Sequence, residues 1–192
     1  MTKLIYGVGI NDRLHPTKVS GKDTKEHSLW RGFLQRCYSL NSREKYSSYI
    51  GCSVSENFKH YAYFYEWCQN QIGFGQSDFE LDKDLLFKCN RIYSEDTCVF
   101  IPKRLNTLFG SNKSCRGSLP IGVSPHQGKF LARCSRGLTS DYIGIFNTSE
   151  EAFQAYKQAK EVFIKLQADK WKDLLDPRAY QALMVYEVSS LD

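Results

Sequence analysis

Hydrophobic residues recur at helical spacing in two stretches of the first half of the chain. Ser28 is placed to cap the first predicted helix, and Ser55 the second, which ends before Gly73 and Gly75. Each stretch gathers its apolar side chains on one side, which predicts two amphipathic helices that form a scaffold. The apolar positions are Leu29, Trp30, Phe33, Leu34, Cys37 and Tyr38 in the first helix, and Phe58, Tyr61, Ala62, Tyr65 and Cys68 in the second.

The stretch from Glu80 to Phe109 alternates short β-rich runs with polar residues. An apolar run that carries Asp82 and Asp84 is followed by a polar loop, and a second β-rich run extends from Thr97 to Ile101. Pro102 can then open a helix, because its fixed φ suits the first helical position. This order predicts a strand–loop–strand–helix unit packed on the helical scaffold.

Three short apolar runs predict an antiparallel sheet in the second half of the chain. They follow a Ser-, Gly- and Lys/Arg-rich linker at residues 110–119, and turns at Gln127-Gly128 and Arg136-Gly137 separate them. The three predicted strands are Ile121–Ser124, Lys129–Cys134 and Tyr142–Phe146.

A long helix follows the predicted sheet. Thr148 with Glu151 forms a capping box, and the wide apolar stripe beyond it suits packing on a sheet. Asp176-Pro177 then reads as an N-cap with Pro at the first position of a last short helix. This tail either closes the core or provides a homodimer contact, and the pattern leaves both open.

Together these elements predict an α+β fold, in which a helical scaffold carries a ββα unit and a three-stranded antiparallel sheet packs on one long helix. The predicted organisation is an N-terminal arm at residues 1–27, a helical and ββα domain at 28–109, the linker at 110–119, a sheet-and-helix domain at 120–175 and a C-terminal helix at 176–192.

The composition is that of a chain able to fold around its own core. Of its 192 residues, 42% are hydrophobic and 14% aromatic. No apolar run reaches the roughly 18 residues of a membrane span, and the polar start is unlike a signal peptide. We therefore expect a soluble, cytoplasmic protein without a membrane partner. The seven cysteines include no Cys-x-x-Cys pair, so we expect reduced thiols and no structural zinc site.

Charge placement is more informative than the net charge of +5. No acidic residue occurs between Thr97 and Ser140. Such a segment is a candidate phosphate-facing surface, since cations that displace counterions from a polyanion gain affinity. The alternative is an ordinary solvated face. The basic residues of this segment are Lys103, Arg104, Lys113, Arg116, Lys129, Arg133 and Arg136.

The stretch from Glu80 to Phe109 resembles the ββα-metal core of HNH endonucleases, especially the phage-type proteins. The resemblance rests on its Asp-rich strand end, a Tyr-Ser-x-x-x-Cys turn and a helical Asn. Matching residues in the two preceding helices are Trp30, Arg36, Cys37, Tyr38, Tyr61, Phe64 and Trp67.

The HNH resemblance implies DNA cleavage with a divalent metal such as magnesium. It implies Asp84 and Asn106 as oxygen ligands of the metal, Asp82 as a weak base and Asn90 as the residue that orients the base. Where the family usually shows Asp-His, this chain has Asp82-Lys83-Asp84. The implied catalytic residues are Asp82, Asp84, Asn90 and Asn106.

The same residues also have plainer interpretations. Asp82 and Asp84 can be polar residues at a strand end that hydrogen-bond the loop, and Asn90 can serve a turn. His60, on the second predicted helix, is an alternative base or a packed surface residue.

The segment from Pro120 onward resembles the Apetala-type domain of plant ethylene-response factors, a module that phage endonucleases often carry at their C-terminus. The resemblance covers about 50 residues and rests on Gly-Val, Gly-Lys-Phe-x-Ala and Ile-Gly-x-Phe-x-Thr-x-Glu-Glu-Ala-x-x-Ala-Tyr. It implies that the sheet enters the major groove of DNA. Alternation along the second strand places Arg133 on the open face independently of the resemblance. The resemblance implies that Ser124, His126, Arg133, Ser135 and Tyr142 face DNA, with Lys129 and Arg136 near phosphates; the acid-free segment adds Lys103, Arg104 and Arg116.

Two classes of function remain after these observations. One is a metal-dependent DNA endonuclease of phage type, acting in a host cytoplasm, and the other is a DNA-binding protein built on an inactive nuclease core. A surface adapted to a host protein is a third, weaker interpretation. The first two share double-stranded DNA as the expected partner, through residues 97–142.

Overall fold

A computed structural model describes residues 4–41, 47–110, 118–135 and 140–190. Helices and strands are both present, which confirms the predicted α+β class. The chain divides into two compact units, Met1–Ile101 and Pro102–Asp192. Residues 102–109, which the sequence analysis joined to the first domain, therefore group with the second unit.

The first unit combines three helices with short paired strands. Strand β1 pairs with β2 antiparallel, β3 pairs with β5 in parallel, and β4 pairs with β6. The helices are α1 (Lys25–Tyr38), α2 (Glu56–Lys59) and α3 (Tyr61–Gln69), and the strands are β1 (Lys18–Val19), β2 (Lys22–Asp23), β3 (Ser53–Val54), β4 (Phe79–Asp82), β5 (Ile92–Tyr93) and β6 (Val99–Pro102).

An aromatic core joins α1 to the two helices that follow. Trp30 and Phe33 are fully buried, and the Trp30 indole Nε1 donates a 2.8 Å hydrogen bond to the Phe58 carbonyl oxygen. The Phe33 ring meets the Phe64 ring edge-on at a centroid distance of 5.0 Å. Buried aromatic pairs of this kind add to the free energy of area burial, so this cluster is the predicted helical scaffold.

The structure corrects the start of the first predicted helix and the continuity of the second. Helix α1 begins at Lys25 because the Thr24 hydroxyl, rather than Ser28, accepts a 3.2 Å hydrogen bond from the His27 amide. The predicted second helix begins after Ser55 as expected, but it breaks at His60, whose backbone is extended. There His60 forms a bridge with Ile10, and the Ile10 amide donates to the Lys59 carbonyl at 2.8 Å.

The described part of the N-terminal arm packs on this helical scaffold. The Tyr61 hydroxyl donates a 2.8 Å hydrogen bond to the Pro16 carbonyl oxygen. The His15 ring stacks on Tyr65 at 4.1 Å between centroids. The arm is therefore ordered by contacts with residues about 50 positions later in the chain.

The pKa of His27 predicts a pH-dependent stability for the first unit. Burial lowers the pKa of His27 below its ordinary value, while Asp23, 3.7 Å away, opposes the shift. The unfolded chain therefore binds the proton more readily, so stability is full above the unfolded pKa near 6.5 and falls as the pH drops toward the folded pKa. We expect the Tm of the wild-type protein to fall more between about pH 7.5 and about pH 5.5 than that of His27→Phe, which keeps a ring against Trp30. Equal decreases in the Tm of the wild-type protein and of His27→Phe, measured by circular dichroism, would contradict this expectation.

The second unit is a three-stranded sheet packed on one long helix, as predicted. The strand order is β7-β8-β9, with both pairings antiparallel, and the Thr148–Glu151 capping box opens the long helix. The elements are α4 (Lys103–Asn106), β7 (Val123–His126), β8 (Lys129–Ser135), β9 (Ser140–Phe146), α5 (Ser149–Trp171) and α6 (Pro177–Met184).

Local signals fix the connections that the structure describes. Gln127 and Gly128 have φ of 48° and 76°, the two left-handed residues that a tight hairpin turn between β7 and β8 requires. The predicted linker falls largely on residues 111–117, and the Arg136-Gly137 turn on residues 136–139. Both segments lie outside the described residues.

The C-terminal segment packs on α5. The Asp176 carboxylate caps α6 by accepting a 2.7 Å hydrogen bond from the Arg178 amide, and Leu183 is fully buried. The Val188 amide donates to the Glu161 carboxylate at 2.9 Å. The tail therefore closes the core of the second unit. Among the described residues, no helix combines the length and the apolar character needed to cross a membrane.

Candidate nucleic-acid interface

The two faces of the β7-β8-β9 sheet differ in burial. Ala132 and Cys134 are fully buried and Val123 is nearly so, and the Tyr156 ring of α5 lies directly against Gly122. Helix α5 therefore covers the face that carries these side chains. Successive residues of a strand point to opposite faces, so the alternate residues of β8 lie on the uncovered side.

The register brings the residues of the uncovered side together. Arg133 pairs with Tyr142, Leu131 lies between Ser124 and Ile145, and His126 pairs with Lys129. We call this surface the open face; its residues are Ser124, His126, Lys129, Leu131, Arg133, Ser135, Tyr142 and Ile145.

A β-bulge sets which residue of β9 meets Arg133. The register shifts between Ala132 and Arg133, so Ile143 is the extra residue between Gly144 and Tyr142. Without this insertion the alternation along β9 would place Ile143 opposite Arg133. The bulge re-aims the strand and places the 62% exposed Tyr142 beside the exposed Arg133 guanidinium.

The open face carries positive charge and no carboxylate among its described residues. Lys129 and Arg133 are exposed, and His126 adds an imidazole. The nearest acidic residue along β9, Asp141, pairs with Cys134, whose side chain faces the helix. A face with this charge pattern attracts polyanions.

The structure describes only some of the remaining basic residues of the acid-free segment. Lys103 and Arg104 are exposed at the start of α4. Arg116 and Arg136 lie outside the described residues.

Three of the four implied catalytic residues lie close together in the loop after β4. The Asp82 carboxylate accepts hydrogen bonds from the Asp84 amide at 2.9 Å and the Leu85 amide at 2.7 Å. Strand β4 ends at Asp82, so Asp84 lies in the loop and does not share a strand face with Asp82. The side-chain amide of Asn90 donates hydrogen bonds to the backbone carbonyl oxygens of Lys83, at 2.7 Å, and Ile92, at 2.6 Å.

Lys83 is the residue of this loop that sequence reasoning missed. Its side chain is buried, and Nζ donates to Asp84 Oδ1 at 2.6 Å and to the Asn90 carbonyl at 2.8 Å. The Tyr93 ring lies 5.7 Å from Nζ. A lysine between two aspartates in the sequence gives no signal of burial, because its anchoring partners become neighbours only when the loop closes.

Comparisons with protein-family models, curated proteins and solved structures return no match.

The donor set of the loop does not fit the implied magnesium site. One Asp84 oxygen is held by the Lys83 ammonium, which competes with a cation for that carboxylate. Asn106 is the last residue of α4. Within the described residues, no cluster of three or more His, Cys, Asp or Glu side chains is arranged to hold a metal ion.

Two titratable groups of the first unit bear on acid–base chemistry. Burial raises the pKa of Asp82, and hydrogen bonds from the Leu85 and Asp84 amides partly oppose this. His60, the alternative base, is half exposed and lies 3.1 Å from Asp12 through Nδ1. The second Asp12 oxygen accepts from the Ala62 amide at 3.1 Å, so this pair also caps α3.

Proposed function

We propose that the second unit binds duplex DNA through the open face. The observation that carries the proposal is the register, because the six described residues that the Apetala-type resemblance implies for DNA share this one surface. The major groove admits β-structure, and sheet-based readers of DNA place strands in a groove. The sheet, rather than α5, is therefore the element offered to DNA.

The side chains of the open face suit contacts with both the phosphate backbone and the bases of DNA. Lys129 lies at the hairpin end of β8, where a cation can neutralise a backbone phosphate. Arg133 lies farther along the same strand, and its planar guanidinium suits two hydrogen bonds to one guanine. Ser124 and Ser135 supply hydroxyls for further polar contacts.

We expect Arg133→Ala to weaken binding to duplex DNA about tenfold, since one lost base contact costs roughly 1–3 kcal/mol. The wild-type log affinity should fall with log salt at about 0.9 per phosphate contacted, as measured by fluorescence anisotropy. Lys165→Ala is the matched control, because Lys165 is an exposed cation on α5 and its loss changes the net charge equally. A flat salt response, or equal losses in the two variants, would overturn the proposal.

Metal-dependent cleavage by the first unit is the second candidate function. The raised pKa of Asp82 favours it, because a carboxylate accepts a proton near neutral pH only when its pKa is raised. The Lys83–Asp84 ion pair and the hydrogen bonds of Asn90 support instead a loop with a structural role. We therefore propose DNA binding on an inactive nuclease core as the leading function.

The two candidates are separated by scoring gel retardation and nicking of supercoiled DNA together, with magnesium or manganese added. We expect retardation without nicking. Asp96→Ala is the control for Asp84→Ala, since both change an exposed aspartate of the first unit. Metal-dependent nicking that is lost in Asp84→Ala and kept in Asp96→Ala would establish the nuclease.

A further inference from the structure

An apolar strip crosses the open face between its polar groups. Leu131 and Ile145 are cross-strand partners, and Tyr142 lies three residues before Ile145 on β9. Leu131 is only 9% exposed and forms the floor of the strip, whereas Ile145 is 43% exposed and Tyr142 62% exposed. Side chains of directly opposed residues lie close enough to form one continuous surface.

The strip lies at a defined distance from the arginine. Leu131 and Arg133 are two residues apart on β8, and no bulge interrupts β8 between them, so they are separated by about 7 Å. Successive bases of B-DNA are about 3.4 Å apart along one strand. A sheet that aligns β8 with the groove therefore places the strip two base steps from the base that meets Arg133.

Few groups in the major groove match an apolar side chain. Guanine, adenine and cytosine present hydrogen-bonding atoms there, whereas thymine adds a C5-methyl group. Burial of the Ile145 side chain against guanine or cytosine edges would leave their polar atoms without partners, at a cost in free energy. Contact between the Ile145 side chain and a thymine methyl removes apolar area of both the protein and the DNA from water, which favours binding.

We propose, on the basis of the DNA binding proposed above, that the open face selects thymine through its C5-methyl group, with Ile145 as the methyl-contacting residue and its cross-strand partner Leu131 as the support beneath it. Arg133 then contacts a guanine, and the apolar strip contacts a thymine methyl two base steps away. Ile145 acts as a specificity-determining residue, while Lys129 contributes affinity without preference.

The test removes the methyl group alone. Two random-sequence duplex pools of equal length are prepared, one with thymidine and one with deoxyuridine in its place, and binding to each is measured by competition. We expect the thymidine pool to bind about fourfold more tightly for each methyl contacted. In Ile145→Ser, which removes every side-chain methyl at this position, this ratio should fall toward one.

Val162→Ser is the matched control, because Val162 is 58% exposed and lies on α5, away from the open face. It should keep the wild-type ratio. Tight binding with equal affinity for the two pools, or a ratio unchanged in Ile145→Ser, would overturn the methyl contact and leave the proposed function standing. Absence of salt-dependent binding to either pool would overturn both.

Discussion

Gly122→Ala is expected to lower the free energy of unfolding of the second unit by about 2–5 kcal/mol. Gly122 has φ of 77°, and a Cβ built there lies 2.1 Å from Cδ2 of the buried Tyr156 ring. The substitution adds the strain of a left-handed backbone, about 1–2 kcal/mol, to the cost of overpacking a helix–sheet contact, about 1–3 kcal/mol. Urea denaturation of the wild-type protein and of Gly122→Ala measures this change in the free energy of unfolding.

Gly128→Ala separates these two costs. Gly128 has nearly the same φ of 76°, and no atom lies within 4 Å of the added Cβ. The free energy of unfolding of Gly128→Ala should therefore fall only by the cost of backbone strain, about 1–2 kcal/mol. Equal losses would show that Tyr156 moves aside without cost. The Gly122 carbonyl also accepts a 2.9 Å hydrogen bond from the Arg133 amide, so Gly122→Ala should weaken DNA binding as well.

Asn90→Ala is expected to lower the stability of the first unit by about 2–4 kcal/mol. The Asn90 side chain donates to two carbonyls and accepts a 3.1 Å hydrogen bond from the Ile92 amide. Each such bond contributes about 0.5–1.5 kcal/mol, and the groups left behind in a part-buried loop lose their partners. Thermal unfolding followed by circular dichroism gives the change.

Asn70→Ala is the control for Asn90→Ala. The Asn70 side chain donates one hydrogen bond, to the Glu66 carbonyl at 2.9 Å, at the exposed end of α3, so its loss should cost less than about 1 kcal/mol. A large loss of stability in Asn90→Ala supports a structural residue rather than a catalytic one. Unchanged stability together with lost nicking would contradict this.

Local signals in the sequence predict the second unit well. The Thr148–Glu151 box, the Asp176-Pro177 start and the Gln127-Gly128 turn each act within a few residues, and all three are confirmed. The alternation along β8 likewise predicts the exposed position of Arg133. The role proposed for Ile145 follows only from the cross-strand register, which a bulge shifts by one residue.

The first unit is harder to predict because its decisive contacts are remote in sequence. The break at His60 arises from pairing with Ile10, and the parallel pairing of β3 with β5 joins Ser53 to Ile92. No periodicity within one segment reports such partners.

The position of Pro125 has a consequence for how this protein meets other copies of itself. Pro125 lies in β7, at one edge of the sheet, and has no amide hydrogen to offer to an added strand. The opposite edge is β9, whose bulge increases the local twist and spoils the flat outline that an added strand needs. Both margins thus discourage edge-to-edge aggregation of the β7-β8-β9 sheet.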